Sequence, residues 1–412
     1  MKPTSKNVQT TYLLLTLFST LAASFIWGIN TLFLLDAGLT NAQAFAANAF
    51  FTLGQVIFEV PTGVVADTRG RRTSYALGVL TLLIATLVYY YLWRIHGPFW
   101  AWSLVSVFLG LGFTFFSGAT EAWLVDALHF TGYKGNLESV FAKGQTIGGV
   151  AMLVGAVSGG FIAQYTDLGF PYILRSIVLG ATLVVCLAMM RDLGFKPRKG
   201  ETAISQVKVV LRASIEEGFK NPPVRWTMIA APFTAGVGFY VFYAMQPYLM
   251  NLYGEPTAYG IAGLAAAIIA GAQVVGGLLV SRVLKHFRSR MNILIGASVL
   301  SAAIIVLLGF THHFWIAIVL LVVWGLVGAL VVPVRLAYLN GLIASQQRAT
   351  VLSFDSLMGS SGGVVVQPGL GKVADVQGYG ASYLVGGAIQ LLAPPFLLLA
   401  KKQKASSDII QK

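Results

Sequence analysis

Three carboxylic acids, Glu59, Glu121 and Asp355, lie inside long apolar runs of the chain. An acid so placed is suited to carrying a proton. Burial in apolar surroundings favours the neutral form of a carboxyl, and ionisable groups within a membrane mark ion or substrate paths. Glu59 precedes Asp67 by eight residues, and Glu121 precedes His129 by the same interval, about 12 Å along a helix. Asp355 follows Arg348 by seven residues, about 10 Å. All three therefore reach a similar depth, towards the middle of the bilayer.

Helical spacing groups polar residues with these acids. Asn48, Thr52, Gln55 and Glu59 share one face, as do Thr114, Ser117 and Glu121. Asp126 lies five positions beyond Glu121, about 140° around the helix, so the two acids face different surroundings. An ion pair from Asp126 to Arg71 or Arg72, locking helix ends, is favoured over a transport role. Glu59 reads equally as a hydrogen-bonded buried acid or as a coupling group. Asp355 shares a stripe with Gly359, Gly362 and Val366, which suits packing or gating. Arg335, after Pro333, reads as a snorkelling cation, or as a counter-ion for an acid or a substrate.

Enzyme chemistry finds no support. The chain has no phosphate-cradling Gly-x-x-x-x-Gly-Lys run, no Gly-x-Ser-x-Gly and no His-Glu-x-x-His. The single Cys186 excludes an intrachain disulfide, and the five histidines fall near the ends of apolar runs. The expectation is no catalytic residue, no metal and no cofactor.

The elements holding the acids are membrane helices. Of the 412 residues 56% are hydrophobic and 10% charged, with a mean hydropathy of +0.75. Spans are predicted near 11–36, 41–66, 73–93, 99–128, 137–165, 171–190, 226–251, 258–281, 291–311, 314–342, 349–375 and 380–400. Tyr12 to Leu35 is too long for a signal-peptide core and reads as a retained first helix. The net charge of +13 is concentrated in alternate loops. The opposite loops hold little beyond Arg94, Arg175 and Lys372. This asymmetry predicts both termini in the cytoplasm and explains the charge without a nucleic acid.

A weak internal repeat divides the chain. Gly160-x-x-Ala163, followed by Gly169 and Tyr172, recurs as Gly371-x-x-Ala374, Gly380 and Tyr383 at identical spacing. Gly63-x-x-x-Asp67 has a degraded counterpart in Gly277-x-x-x-Ser281. The reading is an all-α integral membrane protein of about twelve helices in two pseudo-symmetric six-helix bundles, 1–190 and 226–412. The linker 191–225 is expected to carry an amphipathic helix over 204–219.

The loop Gly63-Val-Val-Ala-Asp67-Thr-Arg-Gly70-Arg71-Arg72 resembles motif A of the major facilitator superfamily. Phe58-Glu59-Val60-Pro61-Thr62-Gly63 and Arg348-Ala349-Thr350-Val351-Leu352-Ser353 resemble the end of the second helix and the entry to the eleventh in many bacterial members, and the chain as a whole resembles the drug/proton antiporter-like ones. Gly155 to Gly160 resembles their antiporter motif with Ala156 in place of proline, and the fourth helix lacks their buried arginine. The resemblance implies a gate built from Gly63, Asp67, Gly70, Arg71, Arg72, Asp126 and Arg348. It also implies a cavity lined by the first, fourth, seventh and tenth helices, with Asn30, Thr114, Ser117, Trp123, Tyr240, Tyr243, Trp324 and Arg335 as candidates. Glu121 becomes the best cavity acid, with Glu59 and Asp355 as further proton-coupling candidates.

The expected function is secondary active transport by alternating access, exporting small lipophilic or cationic compounds in exchange for protons. Aromatic residues in the predicted cavity helices would suit such guests. Alternatives are uptake or facilitated passage of a polar metabolite or a lipid-like molecule, and a non-transporting receptor on the same fold. The expected partners are a small-molecule substrate, protons and membrane lipids, with the chain monomeric in a bacterial inner membrane.

Overall fold

The computed structural model describes residues 4–116, 119–195, 197, 214–343 and 348–410. The helices are α1 Ser5–Trp27, α2 Asn30–Asp36, α3 Asn41–Arg69, α4 Arg71–Arg94, α5 Phe99–Thr114, α6 Ala119–Phe130, α7 Leu137–Tyr165 and α8 Phe170–Met189. A π-turn at Ser214–Phe219 follows. Then come α9 Pro222–Tyr253, α10 Tyr259–Leu284, α11 Arg290–Phe310, α12 Phe314–Asn340, α13 Arg348–Gln390 and α14 Ala393–Lys402. Most of the amphipathic segment expected over 204–219 lies outside the described residues.

Among the described residues, eleven stretches are long and apolar enough to cross a bilayer, the last running 52 residues from Val351 to Lys402. Such a length would reach about 78 Å as one helix, against a hydrocarbon core of about 30 Å. The chain turns within it at Gly378, whose φ of 83° is open to glycine. The stretch is therefore two crossings, giving twelve.

Two expected spans are broken rather than continuous. The first ends at Trp27 and resumes at Asn30. At the break, a Cβ on Gly28 would come within 2.8 Å of Gly263 Cα, so backbone approach selects glycine there. The fourth span divides into α5 and α6 around Ser117 and Gly118, which lie outside the described residues. Proline is tolerated inside α3, α9, α12 and α13, where neighbouring helices help satisfy freed backbone groups.

Helix starts are fixed by local and distant caps. Thr40 and Gln43 form a reciprocal capping box, Thr40 N donating to Gln43 Oε1 at 3.1 Å and Gln43 N to Thr40 Oγ1 at 3.3 Å. Asp375 adds a second cap, accepting from Asn41 N at 2.8 Å and Ala42 N at 3.0 Å. At the start of α10, Gln164 Oε1 accepts from Gly260 N at 3.0 Å. Gln164 and Asp375 each follow the repeated alanine, Ala163 and Ala374. The repeat thus carries a shared function: each copy ends one helix with an acceptor for the start of another.

The chain forms two compact units. The first comprises Met1–Gly38, Phe50–Gln206 and Thr257–Ala267; the second comprises Leu39–Ala49, Val207–Pro256 and Ile268–Lys412. Within the first, α3 and α5 touch at backbone distance, since a Cβ on Gly54 would strike Val107 and one on Gly110 would strike Phe51. Within the second, α9 and α13 meet in the same way at Gly236 and Gly362. Such close approach is how small residues stabilise helix pairs in lipid.

Candidate transport site

The motif A loop is held from a distance. Gly70 precedes the first residue of α4 with φ 101° and ψ 151°, a region essentially restricted to glycine. The carboxylate of Asp192, just past the end of α8, occupies the place a side chain at 70 would take. Asp192 Oδ1 accepts from Arg72 N at 2.9 Å, capping the first turn of α4. The Arg72 guanidinium donates to Leu187 O at 2.6 Å, satisfying a last-turn carbonyl of α8. Arg71 lies 3.8 Å from Asp67 and 3.5 Å from Asp126. Gly63, by contrast, has open space where a Cβ would stand.

The second unit repeats this arrangement with other residues. Asp408 Oδ1 accepts from Met291 N at 2.7 Å, in the first turn of α11, and from the Ser289 hydroxyl at 2.8 Å. Arg290 donates to Ser407 O and Ile409 O, and Ile410 N donates to Arg288 O at 3.1 Å. Each sixth helix of a half is thus followed by an aspartate that caps that half's third helix. Neither Asp192 nor Asp408 stood out in the sequence. The available signal was a lone acid shortly after the last span of each half.

Two cavities hold four of the candidates, Glu121 in one and Trp324, Arg335 and Asp355 in the other. One, of about 430 Å³ in the first unit, is lined by α1, α4, α6 and α7 and includes Tyr12, Thr16, Tyr75, Glu121 and Gln145. Glu121 is the only formally charged residue among its lining, and it is exposed. Glu121 is therefore not buried as its place in an apolar run suggested. Glu59 is likewise exposed, while Asn48 and Thr52 on its stripe are buried.

The other cavity, of about 480 Å³ in the second unit, is lined by residues that include Thr227, Ser298, Trp324, Arg335, Asp355 and Gln390. Arg335 Nη2 lies 2.5 Å from Asp355 Oδ1 and also donates to Thr227 O at 3.3 Å. Of the readings open for Arg335, a counter-ion for an acid describes this geometry; a snorkelling cation does not. The stripe below Asp355 packs tightly, since a Cβ on Gly362 would strike the Pro232 backbone.

Other candidates have different partners. Thr114 donates to Leu111 O at 2.8 Å and is buried. Trp123 is buried too, and its indole donates to Arg191 O at 2.7 Å. Tyr240 is fully buried, hydrogen-bonded to Ser382 and packed on Phe45. These three are buried with their polar atoms satisfied inside the protein: Thr114 by the preceding turn of its own helix, Trp123 by the chain just past α8 and Tyr240 by α13. Asn30 accepts from Tyr172 Oη at 2.9 Å, and Tyr243 packs edge-on to Phe242. Ser117 and the side chain of Arg348 lie outside the described residues.

Arg175 requires a correction. Expected in a loop, it lies inside α8 at 4% exposure and donates from Nε to Thr86 Oγ1 at 3.0 Å. Its position five residues past the start of an apolar run was the overlooked signal.

Comparison with known proteins extends the assignment. The Major Facilitator Superfamily profile matches residues 12–367 and 257–408. An uncharacterised MFS-type transporter of Methanocaldococcus jannaschii is 20% identical over 206 residues, 50% of this chain and 51% of that protein. The match thus spans about half the length of that relative. The nucleoside transporter NupG superposes with a TM-score of 0.79 at 12% identity, covering 96% of this chain and 99% of that one. A D-xylose–proton symporter gives 0.68 at 16% identity, covering 95% and 96%. A bacterial homologue of the lysosomal transporter Spinster gives 0.70 at 17% identity over the whole of both chains. At these identities the structures share the fold, and the profile assigns the family: this chain is a member of the Major Facilitator Superfamily.

Proposed function

We propose that this transporter exports small lipophilic or cationic compounds in exchange for protons, by alternating access. The observation that carries this reading is the charge of the first cavity: one acid, Glu121, and no cation among its lining. Tyr12, Tyr75 and Phe116 lie in the same wall, residue types that attract an organic cation. An apolar guest entering the cavity would desolvate Glu121, and a cationic one would favour its ionised form. Guest and proton then compete for one carboxylate, which is sufficient for exchange. In this reading the protein is a monomer in a bacterial inner membrane, with both termini in the cytoplasm.

The test uses proteoliposomes with an imposed pH gradient and ethidium as the permanently charged probe. Glu121→Gln is expected to abolish gradient-driven accumulation while retaining downhill passage of a neutral compound. Glu59→Gln, on a different helix, serves as comparison and should keep its gradient dependence. If Glu121→Gln still accumulates ethidium against its gradient, the proton carrier lies elsewhere. A second reading, passage of a polar metabolite, is favoured by the hydroxyl and amide groups of Thr16, Ser19, Thr20, Thr120 and Gln145. The sharing of this fold by nucleoside and sugar transporters agrees with it. Gradient-independent movement of such a solute would replace the first reading.

A further inference from the structure

The second unit's cavity has a charge balance the first lacks. Among the described residues, Arg335 and Asp355 are the only formally charged ones in its lining, and they are paired with each other. Asp355 is 8% exposed. Arg335, from α12, is the one ionisable side chain of the lining that faces it. Elsewhere in the wall, α9 presents Thr227 and Thr234, and α11 presents Ser298 and Ser301. The pair leaves the cavity electrically neutral.

One polar group in this wall has no protein partner. Ser298 is 4% exposed, and its hydroxyl is buried without a hydrogen bond. A buried hydroxyl in that condition is costly, and most such groups in folded proteins are satisfied. A hydroxyl left over in a cavity wall that also holds a guanidinium marks a place where a ligand completes the bonding. The remaining lining is largely aliphatic, with Trp324 as its large flat surface.

We propose that this cavity binds a small organic carboxylate together with one proton. The guest carboxylate takes the place of Asp355 on Arg335, and Asp355 takes the proton. An anion entering alone would leave two carboxylates sharing one guanidinium in a poorly solvated space, which strongly disfavours ionisation of both. A cation entering alone would meet Arg335. An anion with a proton leaves the site neutral before and after, so the desolvation penalty of a net buried charge is avoided. Arg335 supplies planar donors matched to a carboxylate, Ser298 supplies a further donor, and the aliphatic wall accommodates an apolar body. The inference does not depend on Glu121. The first cavity would exchange a cation for a proton; this one would take an anion with a proton.

The experiment is calorimetric titration of benzoate into the purified full-length protein, in buffers of differing ionisation enthalpy. Wild-type protein is expected to take up one proton per benzoate bound. Its affinity should weaken about tenfold per pH unit once Asp355 is ionised. Asp355→Asn imitates the protonated acid and should bind benzoate with no proton uptake and little pH dependence. Arg335→Gln should lose binding by about 100-fold or more, and Ser298→Ala should weaken it several-fold. The proton count on wild-type protein needs no variant to fold. Binding without proton uptake would overturn the proposal, as would a pH dependence retained in Asp355→Asn. No binding of benzoate up to millimolar concentration would overturn it as well.

Discussion

The two glycines of the motif A loop should respond to alanine in opposite ways. Gly70 has φ 101° and ψ 151°, and its missing side chain leaves room for the Asp192 carboxylate. Gly70→Ala forces a residue with a Cβ into a region that costs about 1–3 kcal/mol. Its methyl also expels the carboxylate that caps α4, and losing such a cap costs about 1 kcal/mol. The expected total is about 2–4 kcal/mol. Gly63 lies inside α3 with nothing within 4 Å of a would-be Cβ. Gly63→Ala should therefore be neutral or stabilise by about 0.5–1 kcal/mol through helix propensity. Equilibrium unfolding in mixed micelles, followed by circular dichroism, measures both. Asp192→Ala completes a cycle: once the cap is gone, Gly70→Ala should lose only the backbone contribution, leaving a coupling of about 1 kcal/mol. Full additivity of Gly70→Ala and Asp192→Ala would refute the idea that the glycine exists partly to admit the aspartate. Equal damage from Gly63→Ala would refute the assignment of different roles to the two positions.

Asp408→Ala removes the acceptor for Met291 N and the Ser289 hydroxyl. It should cost about 1–2 kcal/mol and raise hydrogen exchange in the first turn of α11, leaving the first turn of α4 protected. For topology, Glu255→Cys in a Cys186→Ser background should react with an impermeant thiol reagent from outside intact cells, and Lys134→Cys should not. The reverse labelling pattern would contradict the orientation inferred from the basic loops.

The sequence alone determined the class, the number of crossings and the repeat. Each is a local or periodic property: apolar length sets a span, glycine and proline mark its ends, and motif A carries its own spacing. The sequence also set Asp126 on a different face from Glu121, and Asp126 does lie beside Arg71 while Glu121 lines a cavity. Local pattern failed where a residue's environment comes from another helix. Arg175 looked like a loop charge because five residues of apolar chain say nothing about the Thr86 hydroxyl that receives it. Trp123 and Tyr240 lie on helices expected to line a cavity, yet they turn to neighbours that only packing brings near. Asp192 and Asp408 cap helices more than a hundred residues upstream. Arg335 and Asp355, on different helices, become a pair only once the second unit has folded. Hydropathy decides which segments enter the membrane, since each must satisfy its own backbone there. The partner of each polar side chain is decided by which helices touch, and that depends on close contacts such as Gly54 with Val107 and Gly236 with Gly362, which no single segment encodes.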